Sequence, residues 1–206
     1  MSNALKGAIR GALFLFALAT TPATADTIDF TNPAFAPVIG PTTVPIGHAE
    51  FCKTHALECG MNTRVVEVET LTEARWNELV EVNFDLNVRI RPETDEDLYH
   101  VAEFWTYPEG RGDCEDIALA KRRQLIELGW DTSALLMTVV KQFNGDGHAV
   151  LMVRTDRGDL VLDNQENKIL VWNQTPYQFV KRQSQTDAGK WVAISDTRAE
   201  IVTASR

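Results

Sequence analysis

The chain is predicted to fold as an α+β domain, with helices in its N-terminal half, including one that bears a cysteine, packed on an antiparallel β-sheet from its C-terminal half. Three observations lead there. Apolar residues recur at three- and four-residue steps over 70–90 and again over 114–128, the spacing of one helical face. After residue 134 the texture changes to short β-branched runs separated by turn residues. The length suits one domain with a proper core better than two.

Residues 1–25 read as a secretory signal. Lys6 and Arg10 charge the start, an apolar run follows from Gly11 to Ala19, and Ala23-Thr24-Ala25 offers small residues before a cut. The apolar run is about half the length of a bilayer span, which favours a cleaved leader over a retained anchor. The mature protein is expected to begin near Asp26, as a single domain over 26–206 in the periplasm with no membrane span. The formal net charge is −9, and the leader holds two basic residues and no acidic one, so the remainder is more acidic still. Such a surface excludes nucleic acid as the partner.

From Asp26 to Gly47 the chain is rich in Pro, Thr and Gly, with Pro33, Pro37, Pro41 and Pro45 at regular intervals, and reads as an extended arm lying on the domain. His48, Cys52, His55 and Cys59 follow. Their spacing invites a zinc site, but along a single helix they spread over too great a length to surround one ion, and no second ligand pair comes later. A Cys52–Cys59 disulfide is the preferred reading, in keeping with export. Seven residues of helix span roughly 10 Å, beyond the reach of that bond, so the segment has to bend.

Thr70 to Ile90 is read as helical from Leu71, Ala74, Leu79, Val82, Leu86 and Ile90, with Thr70 and Glu73 resembling a capping box. Asn83 and Asn87 sit one turn apart on it and suggest structural hydrogen bonding. Arg91-Pro92 ends the helix. Glu93 to Glu103 is acidic and reads as a loop with a short helix. Phe104-Trp105-Thr106-Tyr107 then brings aromatic rings that suit either a groove wall or the core.

Gly112-Asp113-Cys114-Glu115-Asp116 runs into a helix whose inner face carries Ile117, Ala118, Leu125 and Leu128 beside Cys114, with Asp113 as N-cap and Gly129 as the stop. Backbone N–H groups and the helix dipole favour a thiolate at Cys114, the form that attacks a carbonyl. A buried core cysteine is the bland alternative. Against it, Cys52 and Cys59 are close enough in sequence to pair, which leaves Cys114 over in an oxidising compartment. Ala134 to Val140, His148 to Val153 and Leu160 to Asp163 read as three strands joined by the turns Asn144-Gly145-Asp146-Gly147 and Asp156-Arg157-Gly158. Ile169 to Trp172 and Trp191 to Ser195 are further strand candidates.

His148 opens one strand and Asp163 closes its neighbour, so pairing across the intervening turn puts both at one end of the sheet. There His148 is placed to act as base and acid for Cys114, and Asp163 to fix its tautomer. Alone, each is an ordinary turn residue. Cys114, His148 and Asp163 together suggest a nucleophilic triad, with the Cys114 N–H contributing to an oxyanion hole.

These residues carry a family resemblance. Gly112-Asp113-Cys114-Glu115-Asp116 with Ala118 and Ala120-Lys121, Gly147-His148-Ala149-Val150-Leu151, and Leu162-Asp163-Asn164 resemble the bacterial transglutaminase-like cysteine proteinases, of which the LapG-type periplasmic proteases are the best-known members. The resemblance implies a papain/transglutaminase-like fold and a Cys114, His148, Asp163 triad. It also implies Ca2+ held near the nucleophile by Asp113, Glu115 and Asp116. The substrate it implies is a large surface adhesin, clipped near its N-terminus at a double-alanine site, and the partner an inner-membrane cyclic-di-GMP receptor that sequesters the protease. The cysteine pair near residue 50 and the short Pro-rich N-terminal region depart from the family pattern. Calcium has an electrostatic motive of its own, because three carboxylates within about one turn of a thiol oppose its ionisation unless a cation cancels them. The competing account is that these acids only cap the helix. Acyl transfer to an amine, and a non-catalytic binding module on the same fold, stand as alternatives to peptide hydrolysis.

Overall fold

A computed structural model describes residues 34–198, so the signal sequence read at 1–25 lies outside the described residues. The arm does more than lie on the domain. Ala34 bridges to Gly158, and Val38–Thr42 (β1) forms an edge strand. Gly158 takes φ +111°, and a Cβ there would sit 2.8 Å from the Ala34 carbonyl oxygen, so the crossing requires glycine.

Ile46–Thr54 (α1) is followed by a short 3-10 turn at Ala56–Glu58. The chain bends at His55, whose N–H still donates to Phe51 O, and the bend brings Cys52 and Cys59 to a Cα separation of 5.6 Å, where they form a disulfide. His48 is a core residue, buried with its Nδ1 accepting from Trp191 Nε1 at 3.2 Å and its Nε2 3.1 Å from the side-chain amide of Gln183. Burial, with the nearby Arg122 cation, pushes its pKa down to about 4. Thiol counting under denaturing, non-reducing conditions is expected to return one reactive thiol per chain; three would show that the pair is not formed.

The next helix is Glu73–Arg89 (α2), and its cap is Thr72, which accepts from Arg75 N at 3.2 Å, instead of the Thr70 and Glu73 box. Tertiary ties hold residues 69–71 extended. Glu69 N donates to Arg154 O, Asp156 N to Glu69 O, and Leu71 N to Asp156 Oδ1. Arg91–Pro92 (β2), Asp95–Tyr99 (α3) and Arg111–Gly112 (β3) come next, β2 and β3 pairing in parallel. Cys114–Glu127 (α4) buries Ile117, Ala118 and Leu125, whereas Leu128 is the exposed C-cap, followed by Gly129 at φ +85°.

Leu135–Lys141 (β4), Gly147–Thr155 (β5), Gly158–Leu162 (β6), Leu170–Val171 (β7), Gln178–Gln183 (β8) and Trp191–Ile194 (β9) complete an antiparallel sheet with the order β1-β9-β8-β4-β5-β6-β7. The candidate strand at Ile169–Trp172 is shorter than expected, because Trp172 turns into a 3-10 segment. β8 carries no apolar alternation, yet it is central. Phe179 fills the core, while Gln183 replaces an apolar residue by accepting from Met137 N at 3.0 Å and donating to Ala188 O at 2.8 Å. α4 lies across β4 and β5 with α2 beside it, burying Leu79, Val82 and Leu86 against Ile117 and Leu125. Trp105 is core: its ring meets His48 and Trp191 edge-on at centroid distances of 5.4 and 6.2 Å.

Candidate active site

α4 presents Cys114 at its first turn, half-buried, with Sγ directed at β5. The Ala149 N–H donates to Sγ at 3.4 Å, a contact that favours the thiolate. The other neighbour opposes it. Cys114 Sγ donates to Glu115 Oε2 at 3.1 Å, and the Cys114 pKa is raised, first by burial and then by the Glu115 carboxylate.

His148 is the second residue of β5 and Asp163 the residue after β6, and the β5–β6 register sets both at the same end of the sheet. His148 Nε2 lies 2.9 Å from Asp163 Oδ1, both side chains buried. With the hydrogen on Nε2, Nδ1 turns its lone pair away from the carboxylate, where the amide of Gln165 lies 3.5 Å off. Burial alone would raise the Asp163 pKa. The His148 contact, the Tyr177 hydroxyl donating to Oδ2 and the Gln165 N–H donating to Oδ1 at 3.0 Å outweigh it and hold the carboxyl below its ordinary value. α2 steadies the same loop through the pair of asparagines. Asn87 donates to Asp163 O at 2.8 Å, and Asn83 donates to Glu166 O and Asn167 O.

Cys114 and His148 line one cleft of about 710 Å³, walled further by Arg91, Glu93, Asp97, Gln142, Asn164 and Gln165. Asp163 stands behind His148, outside that lining. Lys121, almost fully buried on α4 below Cys114, has its pKa lowered to about 7 by burial, partly offset by the charge of Asp163. Neither Lys121 nor Tyr177 is signalled by spacing: an apolar-face rule puts a mid-helix lysine in solvent, and Tyr177 follows Pro176 in a polar stretch.

The acidic residues divide differently from the sequence expectation. Asp113 occupies the N-cap position but makes no capping hydrogen bond. It groups with Asp116 and with Asp95 of α3, one oxygen of each lying within 4.8 Å of the others. Glu115 is outside this group, its carboxylate engaged by the thiol. The parallel β2–β3 pair brings Asp95 across, with Arg91 N donating to Gly110 O and Glu93 N to Gly112 O. Gly112 is needed there, because a Cβ would lie 2.7 Å from Asp116 Oδ2 and 2.9 Å from Asp116 Cβ. Asp95 Oδ2 accepts from Phe104 N and Asp116 Oδ1 from Thr106 N, while Asp95 Oδ1, Asp113 Oδ1 and Asp116 Oδ2 are buried without a partner. Burial raises all three pKa values, that of Asp95 to about 6 and that of Asp116 to about 8. Three neighbouring carboxylates, each with a buried oxygen that lacks a partner, make a donor set suited to a hard cation.

The family described as bacterial transglutaminase-like cysteine proteinase BTLCP matches residues 38–199. Among solved structures, calcium-bound LapG of Legionella pneumophila is similar at 28% identity over 52% of this chain and 64% of its own, with a TM-score of 0.47. The chain thus spans less than two thirds of that protein's length. EGTA-treated LapG from the same organism is similar at 27% identity, over 60% of this chain and 73% of its own, with a TM-score of 0.48. A further LapG structure matches at 25%, over 61% and 71%, with a TM-score of 0.48. Comparison with curated proteins gives no match.

Proposed function

Because this chain belongs to the bacterial transglutaminase-like cysteine proteinases, a cysteine peptidase family, we propose that it is a thiol endopeptidase with Cys114 as nucleophile, His148 as base and acid, and Asp163 as orienter. The observation that carries this reading is the 2.9 Å His148–Asp163 contact behind a cleft that Cys114 and His148 share. His148 Nδ1 takes the thiol proton, Cys114 Sγ bonds to the substrate carbonyl carbon, and the carbonyl oxygen becomes an oxyanion. The Cys114 N–H, at the first helical position, has no partner within the helix and is available to that oxygen. Collapse breaks the C–N bond as His148 gives its proton to the leaving amine. Water, deprotonated by His148, then cleaves the acyl-thioester and restores the thiol.

Asp95, Asp113 and Asp116 fit a calcium site, and we assign them as the residues that would hold the ion, in place of the set Asp113, Glu115 and Asp116. Calcium there would supply positive charge beside the thiol and tie α3 to the start of α4. Calcium in about 100-fold excess over its dissociation constant is expected to stabilise the protein by about 2.7 kcal/mol, or roughly 5–10 °C in Tm. A chelator should remove that increment in differential scanning fluorimetry, and calcium should restore it where magnesium does not. An unchanged Tm after exhaustive chelation would reject the calcium site.

Export to the periplasm follows from the leader read at 1–25 and agrees with the Cys52–Cys59 disulfide. No helix among the described residues is long and apolar enough to cross a membrane. The proposed substrate is a large surface adhesin cut at paired alanines, with an inner-membrane cyclic-di-GMP receptor as the sequestering partner; both rest on family resemblance. The test is incubation of the purified mature protein with an adhesin N-terminal fragment and with the same fragment lacking the alanine pair. One specific cut in the first alone is the expected result, and an uncut first fragment rejects the substrate.

A further inference from the structure

We propose that the Cys52–Cys59 module positions the Asp95–Asp113–Asp116 site through Trp105 and Tyr107, so that the oxidised chain binds calcium more tightly than the reduced one. The proposal rests on reading those three carboxylates as a calcium site. Its starting point is the segment 104–107, whose successive residues face opposite ways. On one side the backbone N–H groups of Phe104 and Thr106 donate to Asp95 Oδ2 and Asp116 Oδ1, the latter at 2.8 Å. On the other side the rings of Trp105 and Tyr107 enter the disulfide module.

Both rings are held closely. Trp105 meets His48 edge-on, and a Cβ on Gly47 would lie 2.2 Å from its Cδ1, so α1 and this indole are in contact through a glycine. Tyr107 packs edge-on against Phe51 and His55 at 5.7 and 5.5 Å, and its hydroxyl donates to Glu58, the residue before Cys59. The far end of α1 and the turn carrying Glu58 are joined covalently by the disulfide. Two of the three candidate ligands therefore have one oxygen fixed by a segment whose other face is clamped to a cross-linked loop.

The energetic consequence follows from preorganisation. The oxygens left for the cation, Asp95 Oδ1 and Asp116 Oδ2, point where the Phe104 and Thr106 N–H groups set them. Opening the disulfide returns freedom to the loop between residues 52 and 59 and loosens the Glu58 anchor under Tyr107. Ligands that must then be ordered by the ion itself bind it more weakly. Linkage makes the effect reciprocal: whatever factor the disulfide contributes to calcium affinity, calcium must contribute to the resistance of the disulfide to reduction.

The experiment uses the full mature chain. Calcium is titrated calorimetrically into metal-free protein with the disulfide intact, after reduction with dithiothreitol, and in the Cys52→Ser/Cys59→Ser double variant, circular dichroism reporting the fold of each. Reduction is expected to weaken binding about tenfold. By reciprocity, calcium saturation should lower the reduction potential of the pair by about 30 mV, the same factor for a two-electron couple. Tyr107→Phe with the disulfide intact should weaken calcium about threefold, and it decides the matter with the redox titration if the serine variant fails to fold. Equal calcium affinity in oxidised and reduced protein, with an unshifted potential, overturns the coupling. Absence of calcium binding to the oxidised chain overturns the calcium site itself.

Discussion

Replacing Cys114 with alanine is expected to remove all detectable peptidase activity, a loss on the order of 10⁶-fold in kcat, while Tm moves by no more than about 4 °C. The two halves of this expectation have separate causes. In the proposed mechanism Sγ is the atom that bonds to the carbonyl carbon, and no other side chain lining the cleft is a comparable nucleophile at neutral pH. Its structural role is small. Within the fold it makes one long hydrogen bond from Ala149 N–H and one to Glu115 that opposes its own ionisation. Cleavage of the adhesin fragment by purified Cys114→Ala protein at a measurable fraction of the wild-type rate would place the nucleophile elsewhere.

Asp163→Asn is the second large effect, a fall in kcat of about 10³–10⁴-fold with KM little changed. In the proposed triad Asp163 Oδ1 accepts the His148 Nε2 hydrogen and so leaves the Nδ1 lone pair for the thiol; an amide nitrogen in its place selects the opposite tautomer. The carboxylate also accepts from the Tyr177 hydroxyl and the Gln165 N–H. An asparagine can satisfy those donors only with its single oxygen. Because Asp163 stands behind His148 and not in the cleft wall, substrate binding should be nearly untouched. Steady-state kinetics on the adhesin fragment check this, and a proportional rise in KM with kcat preserved would mean that Asp163 shapes the cleft and does not orient the base.

Much of this arrangement was legible in the sequence for definite reasons. The helix of Cys114 shows its apolar face, and the strands of His148 and Asp163 are apolar runs with turn residues between them, so their shared end of the sheet follows from the short connection alone. The cysteine pair could be joined from export and closeness in sequence, on condition of a bend, which occurs at His55. What could not be read depends on contacts between distant residues. Asp95 reaches the start of α4 only because β2 and β3 pair in parallel, a two-residue ladder with no sequence signal of its own. The same contact draws Asp113 away from capping its helix and leaves Glu115 facing the thiol. β8 gives no apolar signal because it buries Arg182 and Gln183 where a strand is expected to be apolar; Gln183 pairs with Met137 N and Ala188 O, and Arg182 Nη1 donates to Gln183 O. Thr72 displaced Thr70 as the cap of α2 because the turn at residues 154–156 holds the preceding residues extended.

In the proposed mechanism His148 activates the Cys114 thiol, and the rate of alkylation at Cys114 tests this without any substrate. Cys114 is the one cysteine outside the disulfide, so iodoacetamide labelling followed by intact mass reports on this thiol alone. In calcium-containing buffer at neutral pH, wild-type Cys114 is expected to react at least about tenfold faster than Cys114 in His148→Ala protein, since the imidazole holds a fraction of the thiol ionised. Equal rates in the two proteins would contradict the account, because a thiol indifferent to His148 is not the nucleophile of this site.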